Sequence, residues 1–189
     1  SEVPADEVLV KQTLEDAREK LRLLENVYRE DGSCVNVGRV CIPRHPPPIR
    51  VVAVVPLSVF KLGSDIMERI SSADIVGLAV DIETDPGEVI QLLKKIDKET
   101  TKPLAIDAYS SKLVQRLSEH VDLVLNVYPK ILESIPKDRR HEVCVSVIPL
   151  DPSRDLYPRE VDEKLRYGIS IVENARSLGY EKIVLDLIL

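Results

Sequence analysis

Two aspartates in this sequence each close an aliphatic run. Pro103, Leu104, Ala105 and Ile106 lead into Asp107, and Lys182, Ile183, Val184 and Leu185 lead into Asp186. A carboxylate beside an apolar core is costly unless donors meet it, so each needs a partner from the protein or from a ligand. Capping a helix or bonding a nearby amide would satisfy one such residue; two at equivalent positions point to a shared ligand. A carboxylate accepts two parallel hydrogen bonds from an amino-pyrimidine edge, with the fork geometry it uses with guanidinium. Asn126, in Leu125-Asn126-Val127-Tyr128, could offer a heterocycle both a donor and an acceptor, or could equally satisfy a loop. Thr84 lies in the polar stretch Asp81-Ile82-Glu83-Thr84-Asp85-Pro86-Gly87. Arg154, in the loop from Asp151 to Asp155, could hold phosphate or carboxylate by its planar fork or simply be a solvated side chain. No residue declares itself a catalytic acid, base or nucleophile.

The elements that must position these residues follow from periodicity. Over residues 4–29, Val10, Leu14, Ala17, Leu21, Leu24 and Tyr28 recur at spacings of three and four, which predicts an amphipathic helix, packed on its own chain or used as a short coiled-coil seam. Alternation between Cys34 and Ile42 around Asn36 and Gly38 predicts a small hairpin or a cover strand. Pro43, Arg44, His45, Pro46, Pro47 and Pro48 make a stiff connector. Residues 1–48 thus form an N-terminal appendage, and 49–189 the main domain.

In that domain, apolar runs at 50–57, 74–82, 103–108, 122–127, 142–150 and 182–189 predict buried strands. Amphipathic segments at 64–71, 86–99, 111–121, 130–135 and 159–178 predict the helices between them. Strand alternating with helix predicts a parallel α/β sheet. A (β/α)8 barrel of TIM type, with six β/α units present, fits better than a doubly wound open sheet, because polar residues gather at the strand ends and no glycine-rich dinucleotide loop follows a strand. The 189 residues fall short of the ~250 of a full barrel. The sixth strand would leave apolar edges unpaired; the expectation is a fragment, or a barrel whose last two strands come from elsewhere.

Charge and composition exclude several classes. A net charge of −6 with interspersed signs offers no basic stripe for nucleic acid. No apolar run reaches the ~18 residues of a membrane span, and the first residues lack a signal peptide's pattern, so a cytoplasmic protein is expected. Cys34, Cys41 and Cys144, odd in number and without metal-ligand spacing, read as reduced, buried or half-buried thiols. His45, His120 and His141 lack partners at metal-binding spacing and read as surface residues, so no metal site is expected.

Ile106-Asp107, Thr84 with Pro86 and Gly87, and Val184-Leu185-Asp186 together resemble the motifs of dihydropteroate synthases. Residues 38–50, and the run from Ile148 through Asp151, Tyr157 and Pro158 to Asp186, are similar to the archaeal dihydropteroate synthase-like proteins. The resemblance covers about three-quarters of the chain and rests on motif order. It implies a pterin-binding barrel in which Asp107, Asp186, Asn126 and Thr84 hold the pterin, although the family's Asn aligns one residue earlier, at Leu125. It further implies joining of a hydroxymethyl dihydropterin diphosphate to an aminobenzoate-type acceptor, in folate or methanopterin synthesis. Three departures bear on that reaction. Val54-Val55-Pro56-Leu57 stands where the first strand should end in Asn, Asp85 stands where an Arg is expected, and the later Lys, Arg and His are not in this sequence. A methyl-pterin-dependent methyltransferase and a non-catalytic barrel binding a ligand or partner are the alternatives. No cofactor is fixed; Mg2+ accompanying a diphosphate, and a homodimer, stay open.

Overall fold

The computed structural model describes residues 34–43, 49–62 and 65–188, together with Gln12, Glu15 and Asp16, which are helical. The rest of the helix expected over 4–29, and residues 44–48 of the proline connector, His45 among them, lie outside the described residues; Pro43, expected to open that connector, instead ends a strand. The chain divides into two compact units, Ser1–Gly32 and Ser33–Leu189.

Six parallel strands build the second unit: β3 (Val52–Pro56), β4 (Ile75–Ala79), β5 (Leu104–Asp107), β6 (Leu123–Val127), β7 (Cys144–Val147) and β8 (Lys182–Leu185). They lie in the order β3-β4-β5-β6-β7-β8. A doubly wound sheet must reverse its strand order at a switch point; this one never does. The fold is a partial (β/α)8 barrel, and β3 and β8 are its two edges. All six expected strands are present. The connections carry α1 (Leu57–Leu62), α2 (Ile66–Arg69), α3 (Pro86–Glu99), α4 (Ser111–Leu117), α5 (Pro129–Ser134) and α6 (Val161–Ser177). Only α1 was unexpected: the apolar run read as the first strand takes in Leu57, and six residues are too few to show a helical period.

Local chemistry explains where α3 begins. Pro86 occupies its first turn, and the Asp85 carboxylate accepts the Glu88 N–H at 3.1 Å, satisfying an amide that has no partner inside the helix. Asp85→Ala should therefore lower stability by about 1 kcal/mol, whereas Asp85→Asn should be nearly neutral; urea unfolding midpoints that fail to separate the two variants would remove the cap from this account.

Period-two alternation gives the sheet its two faces. Facing the helices, Val76, Leu78, Ile106, Val124, Val145 and Val147 are buried. The approach of α6 to β8 is so close that a methyl group on Gly168 would meet Leu185 Cδ1 at 2.8 Å. On the inner face Gly77, Ala105, Leu123 and Cys144 share a register row. Ile75, Ala105, Leu123 and Cys144 pack with Val37 from a hairpin formed by β1 (Cys34–Val37) and β2 (Val40–Pro43). Gly38, at φ +54° in the two-residue turn, abuts Pro103 and Asp122, which precede β5 and β6, so the hairpin closes the N-terminal end of the barrel. Glycine is favoured there by the left-handed backbone. Arg50 ties the hairpin down, donating to the Cys41 carbonyl at 2.9 Å and pairing with Asp74 at 3.6 Å.

Arg140 is buried, and no carboxylate among the described residues pairs with it. Its guanidinium donates to the carbonyls of Glu133 and Ile135 at the end of α5, at 3.2 and 2.9 Å, and to Leu178 at the end of α6, at 3.2 Å. These carbonyls are the electronegative helix ends that cations stabilise. Tyr180 stacks 5.7 Å below the guanidinium, and its hydroxyl donates to Leu132 O at 2.6 Å.

The reading of three reduced cysteines needs correction for one pair. Cys34 and Cys41 form a disulfide across the hairpin, with their Cα atoms 5.5 Å apart; seven residues of sequence separation concealed a proximity that strand pairing creates. Cys144 is free and buried. Desolvation pushes its thiol up to about 12, against a smaller opposing effect of Lys182. Iodoacetamide at pH 8 should leave Cys144 unlabelled in the folded protein and label it once urea unfolds the chain. Because the folded pKa is raised, the stability linked to this proton is complete below the ordinary value of 9.0 and is lost as pH rises toward 12. Tyr180, raised above 10.0 by burial, adds to the alkaline loss.

Candidate functional site at the C-terminal strand ends

Polar side chains gather where β5, β6 and β8 end. Ala79, Asp107 and Leu125 lie in one register row, so Asp107 faces into the barrel one step above the apolar layer that holds Ala105. Ordinary alternation would turn Asn126 away from it. Instead Asn126 adopts φ +54°, and the β6–β7 register shifts between Val124 and Val127. Asn is among the few side chains that tolerate left-handed backbone, and a bulge re-aims a side chain. The result is a hydrogen bond from Asn126 Nδ2 to Asp107 Oδ1 at 2.7 Å. A carboxylate only accepts, which fixes the amide orientation. Asp107 Oδ2 and Asn126 Oδ1 carry no hydrogen bond from described residues, which leaves two acceptors side by side.

Asp186 continues the β7–β8 ladder, its N–H donating to Val147 O at 2.9 Å, and its Oδ1 accepts the Ile188 N–H at 2.9 Å. Tyr109 marks the common ground of the two aspartates. It is half exposed, yet its hydroxyl pKa is pushed above 10.0, first by desolvation, then by Asp107, Asp186 and Tyr128. Tyrosines were the signal missed in the sequence. Tyr109 and Tyr128 each follow a strand by one or two residues, and Tyr157 and Tyr167 belong to the segment after β7. Asp151, 1% exposed, accepts from Ser153 N and Oγ at 3.1 and 2.5 Å. It also raises the pKa of the Tyr128 and Tyr167 hydroxyls, after the larger effect of burial.

Thr84 is placed beside this group rather than within it. It lines a cleft of about 700 Å3 over the ends of β3 and β4, together with Ser58, Asp81, Glu83, Asp85 and Tyr109. Tyr109 is thus shared by the cleft and the two aspartates. Arg154 stands apart, exposed on a short 3-10 turn after β7 and close enough to lower the Tyr167 pKa slightly. Among the described residues no group of three His, Cys, Asp or Glu side chains is placed to hold a metal ion. No described helix is long and apolar enough to cross a membrane.

No family model matches the sequence. An uncharacterized protein of Methanocaldococcus jannaschii is 28% identical over 153 residues, covering 75% of this chain and 29% of the relative, so the chain spans less than a third of that protein. Among solved structures, the dihydropteroate synthase of Xanthomonas albilineans in complex with 7,8-dihydropteroate matches at a TM-score of 0.58 and 18% identity, over 74% of this chain and 60% of that one. The dihydropteroate synthase of Yersinia pestis matches at a TM-score of 0.60 and 12% identity, over 82% and 62%. The likeness is one of fold.

Proposed function

We propose that the barrel mouth binds a reduced pterin, whose amino-pyrimidine edge is held by Asp107 and Asn126 while Asp186 closes the far side. The observation that carries this reading is the 2.7 Å contact between Asn126 and Asp107, held by a left-handed residue near the end of a strand. Backbone of that kind persists only where its surroundings hold it, and here it sets paired acceptors toward a space that the fold's ligand-binding face commonly uses. A guanidine-like edge, with adjacent N–H donors, matches them. Thr84, in the neighbouring cleft, and Arg154, exposed on the turn after β7, are the candidates for the rest of the ligand and for an anionic group.

The finer reading is a transferase that joins a hydroxymethyl dihydropterin diphosphate to an aminobenzoate-type acceptor. One observation favours a second reaction: Asp85, where the resemblance leads one to expect Arg, is a helix cap beside the cleft. A methyl group carried by a pterin needs no diphosphate site, so methyl transfer suits this geometry better. Calorimetric titration with 6-hydroxymethyl-7,8-dihydropterin tests the shared claim; saturable binding is expected, and its absence refutes pterin recognition. Diphosphate release in one assay and methylation of a corrinoid acceptor in another then separate the two reactions.

A further inference from the structure

The cleft next to the Asp107–Asn126 pair has walls of one sign. Asp81, Glu83, Asp85 and Glu88 line it, and Lys61 is the one cation among the described residues of its lining. Lys61 is paired with Glu88, so the formal charge of the lining is −3 and the lone ammonium is already engaged. The start of α3 opens onto the same space. A helix start normally offers free amides and a positive dipole end to phosphate or carboxylate; here Asp85 supplies that anion from the chain itself, accepting the Glu88 N–H with its carboxylate seated over Gly87. An incoming anion would meet like charge and find this helix start already capped. Leu57, Val80 and Ile82 give the cleft an apolar side and Tyr109 an aromatic one, and its volume of about 700 Å3 suits a small organic molecule.

We infer that this cleft takes an organic cation with an aromatic or aliphatic body, seated beside the pterin, and that it rejects carboxylates and diphosphates. The inference rests on the pterin reading for what lies alongside, but not for the charge of the occupant. Asp81 and Glu83 set the specificity. Both are exposed at the cleft wall and make no side-chain hydrogen bond to described residues, so neutralising them spares the fold.

Two compounds of the same shape and opposite charge provide the test: 4-aminobenzamidine and 4-aminobenzoate, titrated calorimetrically into the protein at low salt, with and without 6-hydroxymethyl-7,8-dihydropterin. The benzamidine is expected to bind at least about tenfold more tightly. That preference should fall severalfold in the double variant Asp81→Asn/Glu83→Gln, and also at about 0.5 M salt, where exposed charges are screened. Equal affinities, a preference for the benzoate, binding of neither compound, or a preference unchanged in the double variant would overturn the inference. A clear preference for the benzamidine in a protein that ignores the pterin would support it while refuting the pterin reading.

Discussion

Asp107→Ala should weaken pterin binding by at least about a hundredfold, because a charge-assisted, two-point contact to a half-buried carboxylate contributes about 3 kcal/mol. The loss has two parts. The ligand edge loses its acceptors, and Asn126 loses the group that its Nδ2 donates to at 2.7 Å, so the amide is free to turn. The fold should survive, since Asp107 ends β5 above the packed layer and its side chain bonds only Asn126 among the described residues. Asp107→Asn should lose nearly as much affinity, because shape is kept while the charge is lost. Asp186→Ala should cost less, about tenfold, as Asp186 is exposed and already accepts the Ile188 N–H. Calorimetry ranks the three variants, and thermal unfolding confirms that each is folded.

Arg140→Met should be the most damaging substitution outside the site. The methionine keeps much of the aliphatic stem but withdraws donors from three carbonyls that close α5 and α6, and it abolishes the stacking on Tyr180. Buried acceptors without donors, and a lost cation at two helix ends, together imply about 3 kcal/mol, or a fall in Tm of about 6–12 °C for a chain of this size. Arg140→Lys should recover only part of this, since one ammonium cannot reproduce the planar spread of the guanidinium. A melting temperature unchanged in Arg140→Met would contradict the clamp.

Much of the fold was legible because burial on both faces makes the strands nearly continuous apolar runs; β4 through β7 are of this kind. The helix at 86–99 was legible to the residue, since Asp85 and Pro86 mark its start by cap chemistry. α1 was hidden because it follows β3 directly at Pro56 and its six residues are too few to show a helical period. The disulfide was hidden too, because an odd cysteine count says nothing about which strands a turn at Gly38 will pair.

The candidate site divides in the same way. Asp107 and Asp186 stand out in sequence because a carboxylate ending an apolar run needs a reason. Asn126 was singled out, but its alignment with Leu125 hid how it reaches the site. Leu125 is in fact the register partner of Asp107, and the bulge after it brings Asn126 round to the same carboxylate. Bulges depend on the pairing of two strands and leave little trace in either. Tyr109, Tyr128 and Tyr167 were overlooked because a tyrosine after a strand is ordinary until its neighbours are known, and the acidic cleft emerged only when Asp81, Glu83, Asp85 and Glu88 were folded around one space.

A bound pterin should set its edge against Asp107 and Asn126. The side-chain amide resonances of Asn126 in nitrogen-labelled protein, assigned by their loss in Asn126→Asp, report on that contact directly. Titration with 6-hydroxymethyl-7,8-dihydropterin is expected to move both amide protons while signals at the hairpin end, such as the Val37 and Cys144 amides, stay in place. Saturable binding that leaves the Asn126 amide unmoved would contradict the account.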